Sequence, residues 1–599
     1  MKAQATWDIE IFKNYLLIAL KNPTSNKVLS FEVKGADNSL TSTQVDQINY
    51  IFTSREVFGF NSNSFDIPVL LLALSQATVS TIKMLADEII TKQLQQWQSL
   101  KLINKQIPTS YDHFDLKEVA IGVQVSLKLY GGRLGSNKLQ DLPFPADAIL
   151  TEEQMTLIKS YCKNDLDTNI DLYNDIKPAI DLRKDMTNTY RIDLRSKSDA
   201  QIAEALIKLE LEKLKGERIY KPDLPTNQVY KYQAPSYISF KTKELQELFE
   251  AIKQQEFTLT KTGTLELPEL LKKTKIKLGK SNYKLGIGGI HSTEKKQSVV
   301  ASNDRLICDR DVTSYYPSMI INNSWYPEQL GKEFLTLYKN IYNERIKAKK
   351  EGNKVVADTY KIVLNGSFGK LGSRFSILYA PNLLLNVTLT GQLSLLMLIE
   401  ELELNNIDVI SANTDGFVSV MNKDQYQTYD AICNAWELNT DLNLEETQYK
   451  ALHSRDVNNY CAITTDNKVK GKGVFTLGQL SKNPQYEITV EAVIAYLKDG
   501  KAIEETILNC KDITKFCCVR TVAGGGKYKD EYLGKVVRWV YTVDGEPILY
   551  QKNNNKVATS DGAYPVMNLS EVSCDVWDKI DYKKYIEISN KLLADIGVK

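Results

Sequence analysis

The chain has 599 residues, of which 43% are hydrophobic and 25% charged, and its formal net charge at pH 7 is +1. This length allows about three to five domains with a large buried core, which excludes a small binding module. The even charge balance argues against a histone-like or tail-type nucleic-acid binder, but it permits local basic surfaces that face local acidic ones.

The N-terminus and the cysteines bear on localisation. The chain enters a strand pattern at once, without the basic region, apolar run and cleavage site of a signal peptide. We expect no stretch apolar enough to cross a membrane. The eight cysteines lack paired CxxC spacing and the three histidines are far apart, which argues against a zinc site and for free thiols. We therefore expect a cytoplasmic protein without a membrane partner.

Acidic residues mark the first predicted elements. In TWDIEIF, Asp8 and Glu10 fall on one face of a predicted strand, because side chains alternate along extended backbone. Farther along, Asn61, Phe65 and Asp66 precede an apolar predicted helix. Both patterns also have a structural interpretation, since the acids could form a solvated strand face and Asp66 could be a helix N-cap.

The next predicted helix carries Tyr161 and Asp165 four residues apart, and therefore on one face. The stretch 126–144, which precedes this helix, is rich in glycine and basic residues. This stretch either lines a bound single strand of nucleic acid or forms a plain surface hairpin.

A capped amphipathic helix is predicted at 198–214. Alternating strand with lysines and glycines follows it. Gly286, Gly288 and Gly289 either allow the close approach of a DNA backbone or relieve crowding at a domain junction.

The centre of the chain is LICDRDVTSYYPSMIIN, from Leu306 to Asn322. Its first half is a predicted strand with Asp309 and Asp311 on one face, and a turn rich in hydroxyls and aromatic rings follows. An acid at the end of a strand could simply cap the next helix.

Two predicted helices joined by a turn at Gly352 come next. Arg345 and Lys349 are four residues apart on the first, as are Lys361 and Asn365 on the second. Like charges at this spacing repel one another, so the pattern indicates either a polyanion between the helices or plain solvent. A nucleoside triphosphate would be such an anion.

A long buried helix and a strand-turn-strand hairpin follow, with Asn413, Thr414, Asp415 and Gly416 at the turn. Beyond the hairpin, Lys468, Lys470 and Lys472 alternate on a predicted strand that either contacts phosphates or forms a solvated edge. The remainder has a helix at VEAVIAYL and a predicted loop, GGGKYK, at 524–529.

Taken in order, these patterns resemble the family B DNA polymerases that carry a proofreading exonuclease. The residues similar to the three exonuclease motifs are Asp8, Glu10, Asp66, Tyr161 and Asp165. The residues similar to motif A are Asp311, Ser314, Tyr315, Tyr316, Pro317 and Ser318. The residues similar to motif B are Lys361, Asn365, Gly366, Phe368 and Gly369. Asn413 to Gly416 resemble motif C, and Arg455 and Tyr460 stand at the primer-contacting motif.

The chain also departs from the family pattern. The replacements are Tyr315 for Leu, Gly366 for Ser, Phe368 for Tyr, Asn413 for Asp and Gly416 for Ser, and Asn458 and Asn459 weaken the primer motif. An amide at 413 can orient water or backbone, but it brings no negative charge to a metal. In the family, the second Asp of motif C is the chief residue that binds metal together with motif A. This Asp is present here as Asp415.

The resemblance implies an α/β and α+β multidomain fold, with a ribonuclease H-like exonuclease domain followed by a right-hand polymerase. The implied regions are an exonuclease domain at 1–190, a connecting region and the start of the palm at 191–300, palm at 301–330, fingers at 331–366, palm at 367–480 and thumb at 481–599.

The resemblance also implies two Mg²⁺ ions at each of two active sites, and Mn²⁺ accepts the same oxygen ligands. The implied exonuclease ligands are Asp8, Glu10, Asp66 and Asp165, with Tyr161 orienting the water. The implied polymerase ligands are Asp311, Val312 and Asp415. The implied nucleotide-binding residues are Ser314, Tyr315, Tyr316, Arg345, Lys349, Lys361 and Asn365. The implied DNA-binding residues are Asn61, Phe65, Gly288, Gly289, Gly369, Thr414, Tyr460, Lys470 and Lys472.

The implied partners are primer-template DNA and deoxynucleoside triphosphates, and the implied setting is phage DNA replication in the host cytoplasm by a monomer. Only 50 residues separate Asp311 from Lys361, and 44 separate Gly369 from Asn413. These intervals leave no room for the insertions of the protein-primed phage polymerases. We therefore expect a separate primase, helicase and single-strand-binding protein. Two alternatives stay open: a nuclease with an inactive polymerase half, and a non-catalytic DNA-binding protein.

Overall fold

The structure is a computed structural model that describes residues 2–120 and 125–598. The chain divides into two compact units. The first unit comprises Met1–Ser198, Gly478–Thr489 and Ile507–Tyr585, and the second comprises Asp199–Leu477, Val490–Thr506 and Ile586–Lys599. The predicted C-terminal domain at 481–599 is therefore not one compact unit. Much of it belongs to the first unit because Val519 and Val536 share a core with Leu129 and Leu139.

The N-terminal part of the first unit is a mixed five-stranded sheet in the order β3-β2-β1-β4-β5. Its strands are β1 (Gln4–Phe12), β2 (Tyr15–Lys21), β3 (Val28–Lys34), β4 (Glu56–Gly59) and β5 (His113–Asp115). Its helices are α1 (Ser42–Ser54), α2 (Asp66–Ala73), α3 (Val79–Lys92), α4 (Gln96–Leu102), α5 (Leu127–Leu134), α6 (Glu152–Asp175) and α7 (Lys177–Tyr190). Strand β1 pairs antiparallel with β2 and parallel with β4.

Alternation along β1 and β2 places helices on both faces of this sheet. Trp7, Ile9 and Ile11 share a core with apolar residues of α1, α2 and α3. On the opposite face, alternate residues of β2 pack against Ile158 and Leu166 of α6. Asp8 and Glu10 of β1 alternate with the residues of the first core, as predicted.

The second unit contains a ten-stranded antiparallel sheet in the order β17-β16-β15-β12-β14-β13-β10-β9-β8, with β11 against β15. Its elements before the sheet centre are α8 (Asp199–Lys215), β6 (Val229–Tyr230), α9 (Lys243–Gln254), β7 (Phe257–Thr258), α10 (Glu269–Lys273), β8 (Ile276–Leu278), β9 (Ser281–Lys284), β10 (Ile290–Thr293) and β11 (Gln297–Val300). The central elements are β12 (Arg305–Val312), α11 (Tyr315–Asn322), α12 (Lys332–Glu351), α13 (Lys354–Lys370) and α14 (Pro381–Leu404). The last elements are β13 (Asp408–Thr414), β14 (Gly416–Asn422), α15 (Tyr426–Thr440), β15 (Leu444–Asp456), β16 (Asn459–Thr464) and β17 (Val469–Lys472).

Helix α14 is the core helix of this unit. Its apolar residues pack with Cys308 of β12, Val409 of β13 and Trp436 of α15. By length and composition alone it could cross a membrane, which contradicts the expectation that no stretch is apolar enough. Its most apolar window is 83% buried inside the protein. The helix is apolar on all sides because protein covers it on all sides.

The predicted helix pair is present as α12 and α13, and Gly352 ends α12 in the left-handed conformation that favours glycine. Helix α8 packs against both. A Cβ on Gly366 would lie 2.9 Å from Ala203 Cβ and 2.9 Å from the Asp199 carbonyl oxygen, so α13 and α8 touch closely at this glycine.

The C-terminal elements are α16 (Glu487–Asp499), α17 (Ile503–Asn509), β18 (Cys518–Tyr528), β19 (Glu531–Tyr541), β20 (Leu549–Tyr550), β21 (Ala563–Pro565), α18 (Cys574–Asp578) and α19 (Tyr582–Asp595). The predicted loop at 524–529 is wrong, since its glycines lie in β18. Gly524 and Gly525 have φ values of 78° and 91°, and the register with β19 shifts beside them, so the strand bulges and continues.

Candidate active sites

The first site is a carboxylate cluster on the N-terminal sheet. Asp8 and Glu10 lie on β1, Asp66 is the first residue of α2, and Asp165 lies on α6; all four line one cavity of about 550 Å³. The Ile9 amide donates a hydrogen bond of 3.1 Å to Asp66, which ties the start of α2 to β1. Asp66 is therefore a cavity residue and not the N-cap of its helix, which is Phe65.

Crowding makes this cluster hard to ionise. Burial first, and then Asp66, Glu10 and Asp165, raise the pKa of Asp8 well above its ordinary value. Burial and the neighbouring Asp115 raise the pKa of Asp66 to about 7, and burial raises that of Asp165 to about 6. Acidic side chains that repel one another in a cavity can be stabilised by bound cations.

Tyr161 and Asp165 share one face of α6, as predicted, and Tyr161 lowers the pKa of Asp165 against the larger effect of burial. Lys128 lies 5.0 Å from the centre of the Tyr161 ring. Burial raises the pKa of Glu10, and Lys128 opposes this rise in part. Lys128 is on α5, so 126–144 does not begin as a hairpin. A Cβ on Gly132 would lie 2.7 Å from Val519, which shows that this glycine serves helix packing.

The residues present fit a hard divalent cation. One ligand atom each of Asp8, Glu10 and Cys162 lie within 4.8 Å of one another. Burial and the acids raise the pKa of the Cys162 thiol, so it stays protonated, and its sulfur donates to Asp8 at 3.8 Å. Carboxylate oxygens are then the available ligands, as Mg²⁺ prefers.

Asp115 is a residue of this site that the sequence analysis missed. Its buried carboxylate accepts hydrogen bonds from the backbone amides of Asn61 at 2.8 Å and Asn63 at 2.9 Å. Lys117 donates to the Asn61 side chain at 2.7 Å. Asp115 therefore holds the turn that carries Asn61 and Phe65, both of which line the cavity. The only signal in the sequence was an acid at the end of the short strand HFD.

The second site lies at the centre of the ten-stranded sheet. Asp311 of β12 stands opposite Gly416 of β14, and the Val312 amide donates to the Asp415 carbonyl at 2.7 Å. A Cβ on Gly416 would lie 2.0 Å from the Asp311 carboxylate. Asp311 and Asp415 line one cavity of about 550 Å³, and burial followed by Asp311 raises the pKa of Asp415. Two carboxylates that line one cavity and repel one another suit a shared divalent cation.

The hairpin turn beside Asp415 is strained and anchored. Thr414 has φ 60°, which is costly for a β-branched residue. Gly289 packs directly against Thr414, since a Cβ on Gly289 would lie 2.7 Å from Thr414 Cα. The Asn413 amide donates to the Val457 carbonyl at 3.2 Å, a contact that an aspartate could not make.

Lys470 does not present a free ammonium, contrary to the prediction of a phosphate contact. Its Nζ lies 2.7 Å from Asp309 and 3.2 Å from Asp311. Burial, which lowers the pKa of Lys470, is outweighed by Asp309 and then Asp311, so its pKa is raised. Tyr449 also donates to Asp309. Lys472 and Tyr460 line the same cavity, whereas Lys468 pairs with Asp466 at 2.7 Å.

The helix pair brings cations to the end of β12. Arg345 Nη1 donates to Ser314 Oγ at 2.5 Å, and Ser314 has φ 50° at the start of α11. Lys349 lies 3.4 Å from Glu445, the partner of Asp311 across β12 and β15. Arg345 and Lys349 of α12 therefore lie beside the carboxylate site.

Aromatic rings join α11 to α13. The rings of Tyr316 and Phe368 stack with centres 4.0 Å apart and an angle of 15° between their planes. Lys361 and Asn365 are exposed on the helix face that carries Phe368, because residues at i, i+4 and i+7 are neighbours on a helix. Tyr315 is buried, and its hydroxyl donates to the Gly391 carbonyl at 2.5 Å, so its side chain is not available to a nucleotide.

The remaining predicted residues either have open space beside them or are bound to a neighbouring group. Gly288 and Gly369 have no atom within 4 Å of an added Cβ, which leaves space for a ligand. Gly286 is bound through its backbone by Gln392 of α14. Arg455 pairs with Asp456 at 3.1 Å. The eight cysteines are free thiols, as predicted.

No protein-family model matches the chain, and no curated protein matches it. Among solved structures, the chain is similar to the family B DNA polymerase from the hyperthermophilic archaeon Pyrobaculum calidifontis, with 13% sequence identity and a TM-score of 0.41. The alignment covers 100% of this chain and 78% of that chain.

Proposed function

We propose that the chain is a family B DNA-directed DNA polymerase with a 3′-5′ exonuclease, acting in phage DNA replication. The observation that carries this proposal is that Asp311, on β12, and Asp415, at the turn that leads into β14, line one cavity. Arg345 and Lys349 of α12 contact residues beside the end of β12. A second carboxylate cluster in the other unit supports the exonuclease.

In the polymerase site, Asp311, Asp415 and the Val312 carbonyl would hold two Mg²⁺ ions, and Mn²⁺ would fit the same oxygen ligands. When bound, these ions would lower the pKa of the primer 3′-hydroxyl and stabilise charge on the leaving pyrophosphate. Lys470 would keep the adjacent Asp309 neutralised, which orients Asp311 towards the cavity.

The residues of the helix pair would position the incoming nucleotide. Arg345, Lys349, Lys361 and Asn365 would bind the triphosphate and hold the α-phosphorus in line with the primer hydroxyl. Ser314, whose hydroxyl already accepts a hydrogen bond from Arg345, would fix the guanidinium in place. The ring of Tyr316, held by Phe368, would exclude a ribose 2′-hydroxyl.

In the exonuclease site, Asp8, Glu10, Asp66 and Asp165 would bind the cations, and Tyr161 would orient the attacking water. Asn61 and Phe65 would contact the frayed single strand, since Asp115 holds their turn against the cavity. Gly288, Gly369, Thr414, Tyr460 and Lys472 would contact primer-template DNA. Binding should fall steeply with salt, because the contacts go mainly to phosphates.

The proposed enzyme works as a monomer, with a separate primase, helicase and single-strand-binding protein. Asn413 and Gly416 also fit the alternative of a nuclease with an inactive polymerase site. The structure favours activity over that alternative, because the missing Cβ of Gly416 makes space for Asp311 and the Asn413 amide anchors the hairpin.

A labelled primer on a longer template, with Mg²⁺ and all four deoxynucleoside triphosphates, tests the proposal. We expect the wild-type protein to extend the primer, and Asp415→Ala to degrade the primer without extending it. Degradation alone by the wild-type protein would favour the nuclease alternative. If neither activity occurs, both proposals fail and a non-catalytic binding protein is left.

A further inference from the structure

The segment between α13 and α14 presents one aromatic ring to solvent. Phe375 is 76% exposed, whereas the four residues that follow it are buried. Single exposed apolar residues are ordinary on protein surfaces, so exposure alone indicates nothing. The surroundings of this ring, however, are those of a binding site.

The segment that carries Phe375 is held in place. The side chain of Gln329 donates to the carbonyls of Ile377 at 2.8 Å and Tyr379 at 3.1 Å. The Ile377 amide donates to Glu204 of α8 at 2.9 Å. A ring on a fixed segment loses little entropy when it binds a ligand.

Two cationic groups lie beside the ring. Arg374 Cζ is 5.6 Å from the centre of the Phe375 ring, and Lys221 Nζ is 5.9 Å from it. Arg374 also donates to the Lys261 carbonyl at 3.1 Å, which fixes the guanidinium. Within residues 2–120 and 125–598, neither cation forms an ion pair, whereas nearby Lys370 pairs with Glu204 at 3.2 Å.

An exposed ring flanked by unneutralised cations is the arrangement that binds single-stranded nucleic acid. The ring stacks on a base, and the cations contact the adjoining phosphates. We propose that Phe375, Lys221 and Arg374 form a stacking platform for an unpaired base of single-stranded DNA. In the proposed polymerase this would be the template strand ahead of the nascent base pair, since α13 ends five residues before Phe375. Only the identity of the strand rests on the proposed function.

Fluorescence anisotropy with labelled oligothymidylate and with blunt duplex DNA tests the platform. We expect Phe375→Ala to weaken oligothymidylate binding about fivefold or more, the loss of one base stacking on a ring. Phe375→Trp should retain the affinity. Arg374→Ala and Lys221→Ala should each lower the salt dependence of binding by about one unit of slope or somewhat less. Leu438→Ala, at an apolar residue that is 88% exposed on α15, is the matched control and should bind as the wild type does.

Equal oligothymidylate affinities of wild type and Phe375→Ala would overturn the platform. So would an equal loss on blunt duplex, or displacement by polyglutamate as effective as displacement by oligothymidylate of the same charge, since the site would then bind an acidic peptide. Primer extension distinguishes the two proposals. If the wild-type protein extends no primer but binds oligothymidylate through Phe375, the platform stands and the polymerase proposal fails.

Discussion

Gly366 and Gly416 stand where the family that these motifs resemble has serine. Neither position has room for a side chain. At 416, a Cβ would collide with the Asp311 carboxylate at 2.0 Å. At 366, it would collide with the backbone of α8. These departures from the family pattern are therefore adjustments of packing, and they do not by themselves indicate a decayed site.

Adding a side chain at 416 should damage the proposed polymerase activity. We predict that Gly416→Ala and Gly416→Ser lose primer extension to a similar extent, because the Cβ common to both displaces Asp311. The overpacking should also lower the free energy of unfolding by about 1–3 kcal/mol. Extension and thermal unfolding measure the two effects. An active Gly416→Ala variant would contradict the crowding of Asp311.

Asp66 links stability to pH. Its pKa in the folded chain is about 7, above the ordinary 3.8, so the folded state holds an extra proton between these values and stability falls as pH rises through this window. Asp66→Asn removes this penalty and keeps an acceptor for the Ile9 amide. Without divalent cations, we predict that its gain in unfolding free energy is larger at pH 8 than at pH 5 by about 1–3 kcal/mol.

Calorimetric unfolding in chelator at the two pH values measures this gain. Asp147→Asn, at an exposed side chain, is the control and should show no difference between the two pH values. At pH 8, Mg²⁺ should reduce the difference in unfolding free energy between Asp66→Asn and the wild type, because it binds the wild-type carboxylates more tightly than the variant site. A gain for Asp66→Asn that is the same at both pH values would contradict the proposed crowding.

At the scale of elements, the contact between α8 and α13 reverses an ordinary rule. Replacing a glycine inside a helix by alanine stabilises it by about 1 kcal/mol on propensity alone. We predict that Gly366→Ala instead destabilises the protein by about 1–3 kcal/mol, because the Cβ meets Ala203 and the Asp199 carbonyl. Gly369→Ala, on the same helix with open space around it, is the control and should be stabilising. Denaturant unfolding would contradict the account if both variants changed stability in the same direction.

The stack between α11 and α13 sets the second prediction at this scale. Tyr316→Ala removes the ring that Phe368 holds at 4.0 Å, so we expect more ribonucleotide incorporation. Tyr316→Phe keeps the ring and should retain discrimination. Single-nucleotide incorporation with matched ribonucleotide and deoxyribonucleotide substrates measures the ratio. Unchanged discrimination in Tyr316→Ala would remove this role.

Secondary structure near the sites could be predicted from the sequence, because alternation in β1 and β12 and helical spacing in α6, α12 and α13 are local patterns. Asp115 could not be recognised, since its role depends on two backbone amides, those of Asn61 and Asn63, that a turn distant in the sequence brings to it. The pairing of Lys470 with Asp309 joins strands far apart in the chain. Glycine runs also misled, because positive φ in β18 permits a bulged strand as readily as a loop.

At the scale of the whole molecule, the chain has two compact units, and each contains its own carboxylate cluster. Asp8, Glu10, Asp66 and Asp165 belong to the first unit, and Asp311 and Asp415 to the second. The first cluster combines β1 with the helices α2 and α6, and the second combines β12 with the turn before β14. If the two clusters are separate active sites, a change in one should leave the chemistry of the other intact.

The most direct test is Mn²⁺ binding, followed by electron paramagnetic resonance, in an Asp8→Ala/Asp165→Ala background that removes the first site. We predict that Asp311→Ala and Asp415→Ala each weaken binding of the same ion by about tenfold or more. The variant with both changes should then bind no more weakly than either single variant, because the two carboxylates hold one ion together. Losses of binding free energy that add independently would contradict the shared site.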